Sequence, residues 1–239
     1  MAIIKVNGNE YDIQSGITKG DNLYSLAEIV GEDKLYLDIK GEVDIPIAAN
    51  DCIIILGGED FAVGKSDIPD NPELRKPINL NLNGANIALS KHKITGKEIR
   101  ENDKVLSNSK LYADLSGLPD QPIDDNCRLL IRDKDCFITI PVADDGIIDV
   151  EECAKNDRKP PKKQRQYKIK IDGEKYIADA SHLSGKKILA LAGMTWQEFG
   201  LQQKFKGGKR EAIAPDQKID LATPEVERFE TVPKSPQQG

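Results

Sequence analysis

The residues of this chain best suited to chemistry are carboxylates gathered about a glycine. Asp144, Asp145, Asp149, Glu151 and Glu152 crowd around Gly146, with Asp133 and Asp135 a short way upstream. Ca²⁺ takes about 6–8 oxygen ligands, and a run of this density could supply them. The order is not that of an EF-hand loop, so two readings stand: a calcium site, or a solvated acidic loop. A bound ion would let like-charged faces dock, so the calcium reading carries an expectation of dimers or head-to-tail filaments.

Other reactive groups are sparse. The four cysteines, Cys52, Cys127, Cys136 and Cys153, form no Cys-x-x-Cys pair. A thiol nucleophile needs a base beside it, and the two histidines, His92 and His182, sit at equivalent loop positions rather than as members of a catalytic pair. Zinc is not indicated either. Cys52 and Cys127 fall beside equivalent turns and read as small, half-buried strand residues. Gly207-Gly208-Lys209-Arg210 resembles a fragment of a phosphate loop, but it lies between two predicted strands and reads as a hairpin turn. No enzyme is predicted, and no cofactor is required.

The elements that must position these residues occur three times. Asn7-Gly8, Asn83-Gly84 and Asp172-Gly173 each join two alternating stretches. Such dipeptides suit type I′ hairpins, which need positive φ at both central residues. A second glycine follows each hairpin at Gly20, Gly96 and Gly185, then a short helical stretch: 23–29, 98–106 and 186–192. Apolar strands come next, and a last strand carries Phe61, Phe137 or Phe229. A helix lying across a small mixed sheet buries such a pattern economically. The expected fold class is α+β: three tandem β-grasp (ubiquitin-like) domains with an extended C-terminal tail.

Boundaries follow from the punctuation. The repeats span 1–66, 74–153 and 166–233, with a basic, proline-containing linker at 154–165 and a flexible tail at 234–239. Turn-forming residues at 64–72 mark the first joint, and the second linker reads as a solvated, semi-rigid spacer. Each repeat has roughly 70 residues, near the lower limit for a self-sufficient core, so neighbours are expected to lean on one another. A net charge of −6 argues against general affinity for nucleic acid. No apolar run approaches the ~18 residues of a membrane span, and the start lacks a signal region, so a cytoplasmic protein is expected.

The third repeat carries a resemblance. Tyr167 through Gly173, Ser184-Gly185-Lys186-Lys187-Ile188-Leu189 and Val226-Glu227-Arg228-Phe229 make it similar to the bacterial multi-ubiquitin family. The first two repeats resemble that family more loosely, through the hairpin and the Ile-Thr-Lys-Gly or Ile-Thr-Gly-Lys step. The resemblance implies a protein modifier. Its partners would be activating-type and conjugating-type enzymes, a deubiquitinase-like metalloprotease and unknown protein targets.

A modifier must thread its tail into a narrow channel and offer an unhindered carboxylate, which glycine does for want of a Cβ. Gly239 is the expected acyl donor, preceded by Gln237 and Gln238, and Pro233 and Pro236 keep the tail extended. Ubiquitin-like tails usually end in two glycines after Arg or Leu, whereas here one glycine follows two glutamines. Leu201, Phe205 and Ile213 could form an exposed recognition patch or belong to the core. Two functions stay open: a conjugated modifier, and a self-assembling scaffold that is never covalently attached.

Overall fold

The computed structural model describes residues 1–65, 76–106, 108–141, 143 and 145–234. The chain divides into two compact units, Met1–Asn102 with Gln121–Phe137, and Asp103–Asp120 with Ile138–Gly239. The division runs through the segment expected as the second repeat.

The first unit opens with β1 (Ala2–Val6), β2 (Asn9–Ile13), β3 (Gly16–Lys19), α1 (Gly20–Leu26), β4 (Lys34–Leu37), β5 (Ile45–Ile47), β6 (Asp51–Ile55) and β7 (Asp60–Gly64). Five of these strands form a sheet in the order β2-β1-β7-β4-β5. The β1–β2 turn has positive φ at Asn7 (48°) and Gly8 (82°), as the dipeptide requires. Alternation along β1 buries Ala2, Ile4 and Val6 beneath Leu23 of α1. The central pair, β1 and β7, is parallel, with Val6 opposite Phe61.

The chain then gives β8 (Ile78–Leu82), β9 (Ala85–Leu89), β10 (Lys93–Thr95) and α2 (Gly96–Arg100). After β11 (Ser109–Ala113), which belongs to the second unit, it returns as β12 (Gln121–Ile123), β13 (Arg128–Leu130) and the first residues of β14 (Cys136–Pro141). Asn83 and Gly84 turn the β8–β9 hairpin with φ of 54° and 86°. Phe137 lies opposite Leu82 in a parallel pair, as Phe61 lies opposite Val6.

Two features of this unit escaped the sequence reading. Short strands β3 and β10 precede the helices and pair antiparallel with β6 and β13. β6 and β13 then pair in parallel, Cys52 opposite Leu129, which makes one sheet in the order β10-β13-β6-β3. Leu130 enters the core of the first repeat. Asp51, at the start of β6, is fully buried and binds Arg128 Nε at 2.5 Å, Lys93 Nζ at 3.0 Å and the Ala48 amide at 2.9 Å.

The expected helix over 98–106 is shorter than its pattern. Thr95 and Glu98 make a reciprocal capping box at its start. At its end Asn102 Nδ2 donates to the Glu98 carbonyl at 2.7 Å, just past the cap residue Glu101.

In the second unit β11 and the rest of β14 are followed by β15 (Ile148–Asp149), α3 (Val150–Lys155), β16 (Tyr167–Ile171), β17 (Glu174–Ala178), β18 (His182–Ser184), α4 (Gly185–Leu191), β19 (Phe199–Phe205), β20 (Arg210–Ile213), β21 (Lys218–Asp220) and β22 (Val226–Pro233). The third repeat's sheet runs β17-β16-β22-β19-β20, the same plan as the first. Asp172 and Gly173 turn its opening hairpin at φ 47° and 99°. Gly185 begins α4 where a Cβ would stand 2.6 Å from the Ala214 carbonyl and 2.9 Å from Ile213 Cγ2. Gly20 and Gly96 are pressed against Ala48 O and Asp124 O in the same way, which explains the repeated second glycine.

The spacer expected at 154–165 is corrected. Ala154 and Lys155 belong to α3, and Arg158, Pro160 and Pro161 are buried. Arg158 grips both oxygens of Asp103 at 2.7 and 2.8 Å. Lys162 donates to Asp114 Oδ1 at 2.5 Å and, through its amide, to Asp120 Oδ2 at 2.7 Å. Charges that look solvated in sequence are matched by carboxylates far away along the chain. Residues 66–72 of the first joint lie outside the described residues.

Candidate functional site

The third repeat joins two features, a lysine-bearing sheet face and the exit of the tail. Strict alternation in β16 buries Tyr167, Ile169 and Ile171 and turns Lys168 and Lys170 to the opposite face. Lys175 of β17 lies directly across from Lys170. Strand β15 pairs in parallel with the start of β16, and this brings the acidic segment up to the lysines. Asp145 meets Lys168 at 2.5 Å, Glu151 meets Lys170 at 3.0 Å and Asp149 meets Lys175 at 2.6 Å.

The described acids of the expected calcium site are therefore each paired with a lysine. Asp149 also caps α3, its Oδ1 accepting the Glu152 amide at 3.2 Å. Lys155 pairs with Glu152 at 2.9 Å and with Glu151 at 3.5 Å. The hydrogen bond from Lys168 holds the Asp145 carboxyl below its usual range, and the bond to Asp149 raises the Lys175 ammonium. Among the described residues no three His, Cys, Asp or Glu side chains converge as metal ligands. Asp144 lies outside the described residues. In the first unit, Asp133 accepts the Asn79 amide at 3.0 Å and Asp135 the Arg132 amide at 2.8 Å.

The tail leaves from β22, whose Pro233 lies opposite Phe199. Lys234, expected as the first flexible residue, is anchored instead. Its amide donates to Glu198 O at 2.8 Å, its ammonium donates to Trp196 O, and that ammonium stands 4.6 Å from the Trp196 ring centre. Trp196 in turn reaches the start of α4 at Gly185. Sequence reading passed over Trp196, which stands far from the tail along the chain and is brought to it only by the fold. Gln237, Gln238 and Gly239 lie outside the described residues.

The patch alternatives resolve toward the core. Leu201 and Ile213 are buried, and Phe205 is partly buried against the same cluster. The Gly207-Gly208 segment is the β19–β20 hairpin turn, with φ of 82° and 89° and Lys209 over the Phe205 ring.

Burial pushes the Cys153 thiol up to about 12, away from thiolate character. Exposed Cys136 donates to Lys134 O at 3.3 Å. In the first unit Cys52 is buried and Cys127 half-buried, and the Cys127 side chain holds the Cys52 thiol below its usual range. His182 is exposed, 3.0 Å from Ser181 Oγ, while His92 is buried with Nε2 3.2 Å from Lys76 O.

A five-stranded mixed sheet with a parallel central pair, crossed by a short helix that begins after the opening hairpin, defines the third repeat as an α+β domain of ubiquitin-like type. Residues 167–234 match the family model for multiubiquitin. No curated protein and no solved structure matches the chain. Among the described residues no helix is long and apolar enough to cross a membrane.

Proposed function

We propose that this chain is a ubiquitin-like protein modifier built of three tandem β-grasp domains, with Gly239 as its acyl donor. The multiubiquitin match over 167–234 carries the reading. Two further observations support it: the first repeat repeats the third's strand order, and the last strand hands an anchored Lys234 directly to the tail. The chemistry would be that of carboxyl activation. The Gly239 carboxylate attacks the α-phosphate of ATP, giving an acyl adenylate and pyrophosphate. An enzyme thiolate then displaces AMP to form a thioester, and a nucleophile on the target displaces the thiol to take the acyl group. Each catalytic group belongs to an activating-type or conjugating-type partner, and a deubiquitinase-like metalloprotease would reverse the bond.

The test is intact-mass spectrometry of the full chain with ATP, Mg²⁺ and an activating-type enzyme, beside a chain lacking Gly239. A thiol-sensitive adduct on the enzyme that disappears with Gly239 is expected. An enzyme that charges its own modifier yet leaves this chain free would refute the reading.

A second reading, an unconjugated scaffold, draws on the parallel β6–β13 junction, in which strand edges already join successive repeats. A molar mass by light scattering that stays at one chain over a wide concentration range, with and without EGTA, would exclude it.

A further inference from the structure

We propose that the first unit holds a binding site for an alkyl cation, an ammonium or guanidinium carried on an aliphatic stem. The inference stands apart from conjugation at Gly239. A cavity of about 590 Å³, within the usual size of a small-ligand site, is lined by residues of both repeats in this unit. Its chemistry is one-sided.

Arg132 lines the cavity but is already engaged. Its Nη1 binds Glu59 Oε1 and its Nη2 binds Ile54 O, each at 2.9 Å. Glu59 is likewise closed, accepting the Leu56 and Gly57 amides at 2.9 Å each. This pair, Glu59 buried and Arg132 half-buried, contributes no net charge and offers a ligand little. Asp38 and Asp60, by contrast, are exposed on the cavity wall, and no described cation pairs with either. Exposed Lys40 at the rim is too few to balance them.

His92 supplies the independent observation. It lines the same cavity, is only 4% exposed, and its Nδ1 has no hydrogen-bond partner. Its Nε2 stands 3.2 Å from Lys76 O, a group that can only accept. In the neutral ring Nε2 therefore carries the proton, and Nδ1 is a bare acceptor. A buried acceptor left unmet normally calls for a donor. Two free carboxylates and an unmet imidazole nitrogen want N–H groups and positive charge, while Ile78 gives an aliphatic stem an apolar wall.

A basic side chain of a protein partner and a free polyamine share this chemistry. The test titrates the full chain with N-acetyl-arginine methylamide and, separately, with spermidine, following amide and imidazole NMR signals. Saturable shifts at His92, Asp60 and Ile78 are expected with at least one probe. Tighter binding of the arginine derivative would assign the site to a protein partner, and tighter spermidine binding to a polyamine. The double variant D38N/D60N, altered only at exposed positions, should keep its fold and bind about tenfold more weakly, since charge-assisted bonds are the strong ones. No saturable shift with either cation, undiminished affinity in D38N/D60N, or equal shifts with inorganic phosphate would overturn the proposal.

Discussion

Replacing Asp51 by alanine should destabilise the first unit by about 3 kcal/mol, the lower end of what breaking a buried ion pair costs. The figure follows from which partners can recover. The Asp51 side chain is wholly buried, whereas Lys93 is 12% exposed and Arg128 is 46% exposed. Arg128 can turn to water and should lose little, about 0–1 kcal/mol. The part-buried Ala48 amide loses its acceptor, which costs about 1–3 kcal/mol, and the Lys93 ammonium loses the Asp51 charge. The order of effects is therefore D51A, then K93A, then R128A, with D51N intermediate because it keeps an acceptor for Ala48. Burial by itself would push the Asp51 carboxyl up, but bonds from Arg128, Ala48 and Lys93 hold it below 3.8. Its stabilisation is thus complete at neutral pH and is lost as pH falls below 3.8 through the depressed value. Native-state hydrogen exchange at the Ile53 and Leu129 amides reads this unit without assuming that the whole chain unfolds at once. A D51A cost below about 1 kcal/mol, or an R128A cost equal to it, would refute the reasoning.

Further predictions rest on single features of the second unit. Gly185→Ala should lower its stability by about 1–3 kcal/mol, because the new methyl meets the Ala214 carbonyl; a thermal melt checks this. A fragment beginning at Tyr167 should melt below one beginning before Ile148, since it loses β15 and the buried Val150 and Cys153 of α3. With Asp145, Asp149, Glu151 and Glu152 each paired to lysine, EGTA should leave the melting temperature unchanged; a fall on chelation would favour the calcium site.

What could be read in advance was local. Asn7-Gly8, Asn83-Gly84 and Asp172-Gly173 specify their turns through backbone preference alone, and all three have the required positive φ. The spacing to Gly20, Gly96 and Gly185 was visible too, although its cause, a carbonyl pressed against each glycine, depends on a strand far along the chain. Strands β3, β10 and β18 have three or four residues each and are too short to show a period. The β6–β13 pairing and the docking of 154–165 are contacts between distant segments, and no local pattern encodes them. The acidic run was legible as charge but not as to its counter-ion. Its partners, Lys168 and Lys170, stood in plain alternation on the next strand.

That alternation also explains why the acids sit where they do. The outward pair at the same register position in the three hairpins is Lys5 with Glu10, Asn81 with Asn86, and Lys170 with Lys175. The first pair is of opposite charge, 3.9 Å apart, and the second is joined amide to amide at 3.3 Å. Each satisfies itself. The third sets two like charges directly across a strand pair, which is destabilising unless something answers them. Glu151 and Asp149 are that answer, so this hairpin depends on α3 in a way the others do not depend on any neighbour. The dependence is measurable as a coupling. In K175E the hairpin again holds opposite charges, so E151A should destabilise the native chain by about 1 kcal/mol more than it destabilises K175E. Equal costs in the two backgrounds would mean that α3 serves only to cover apolar surface.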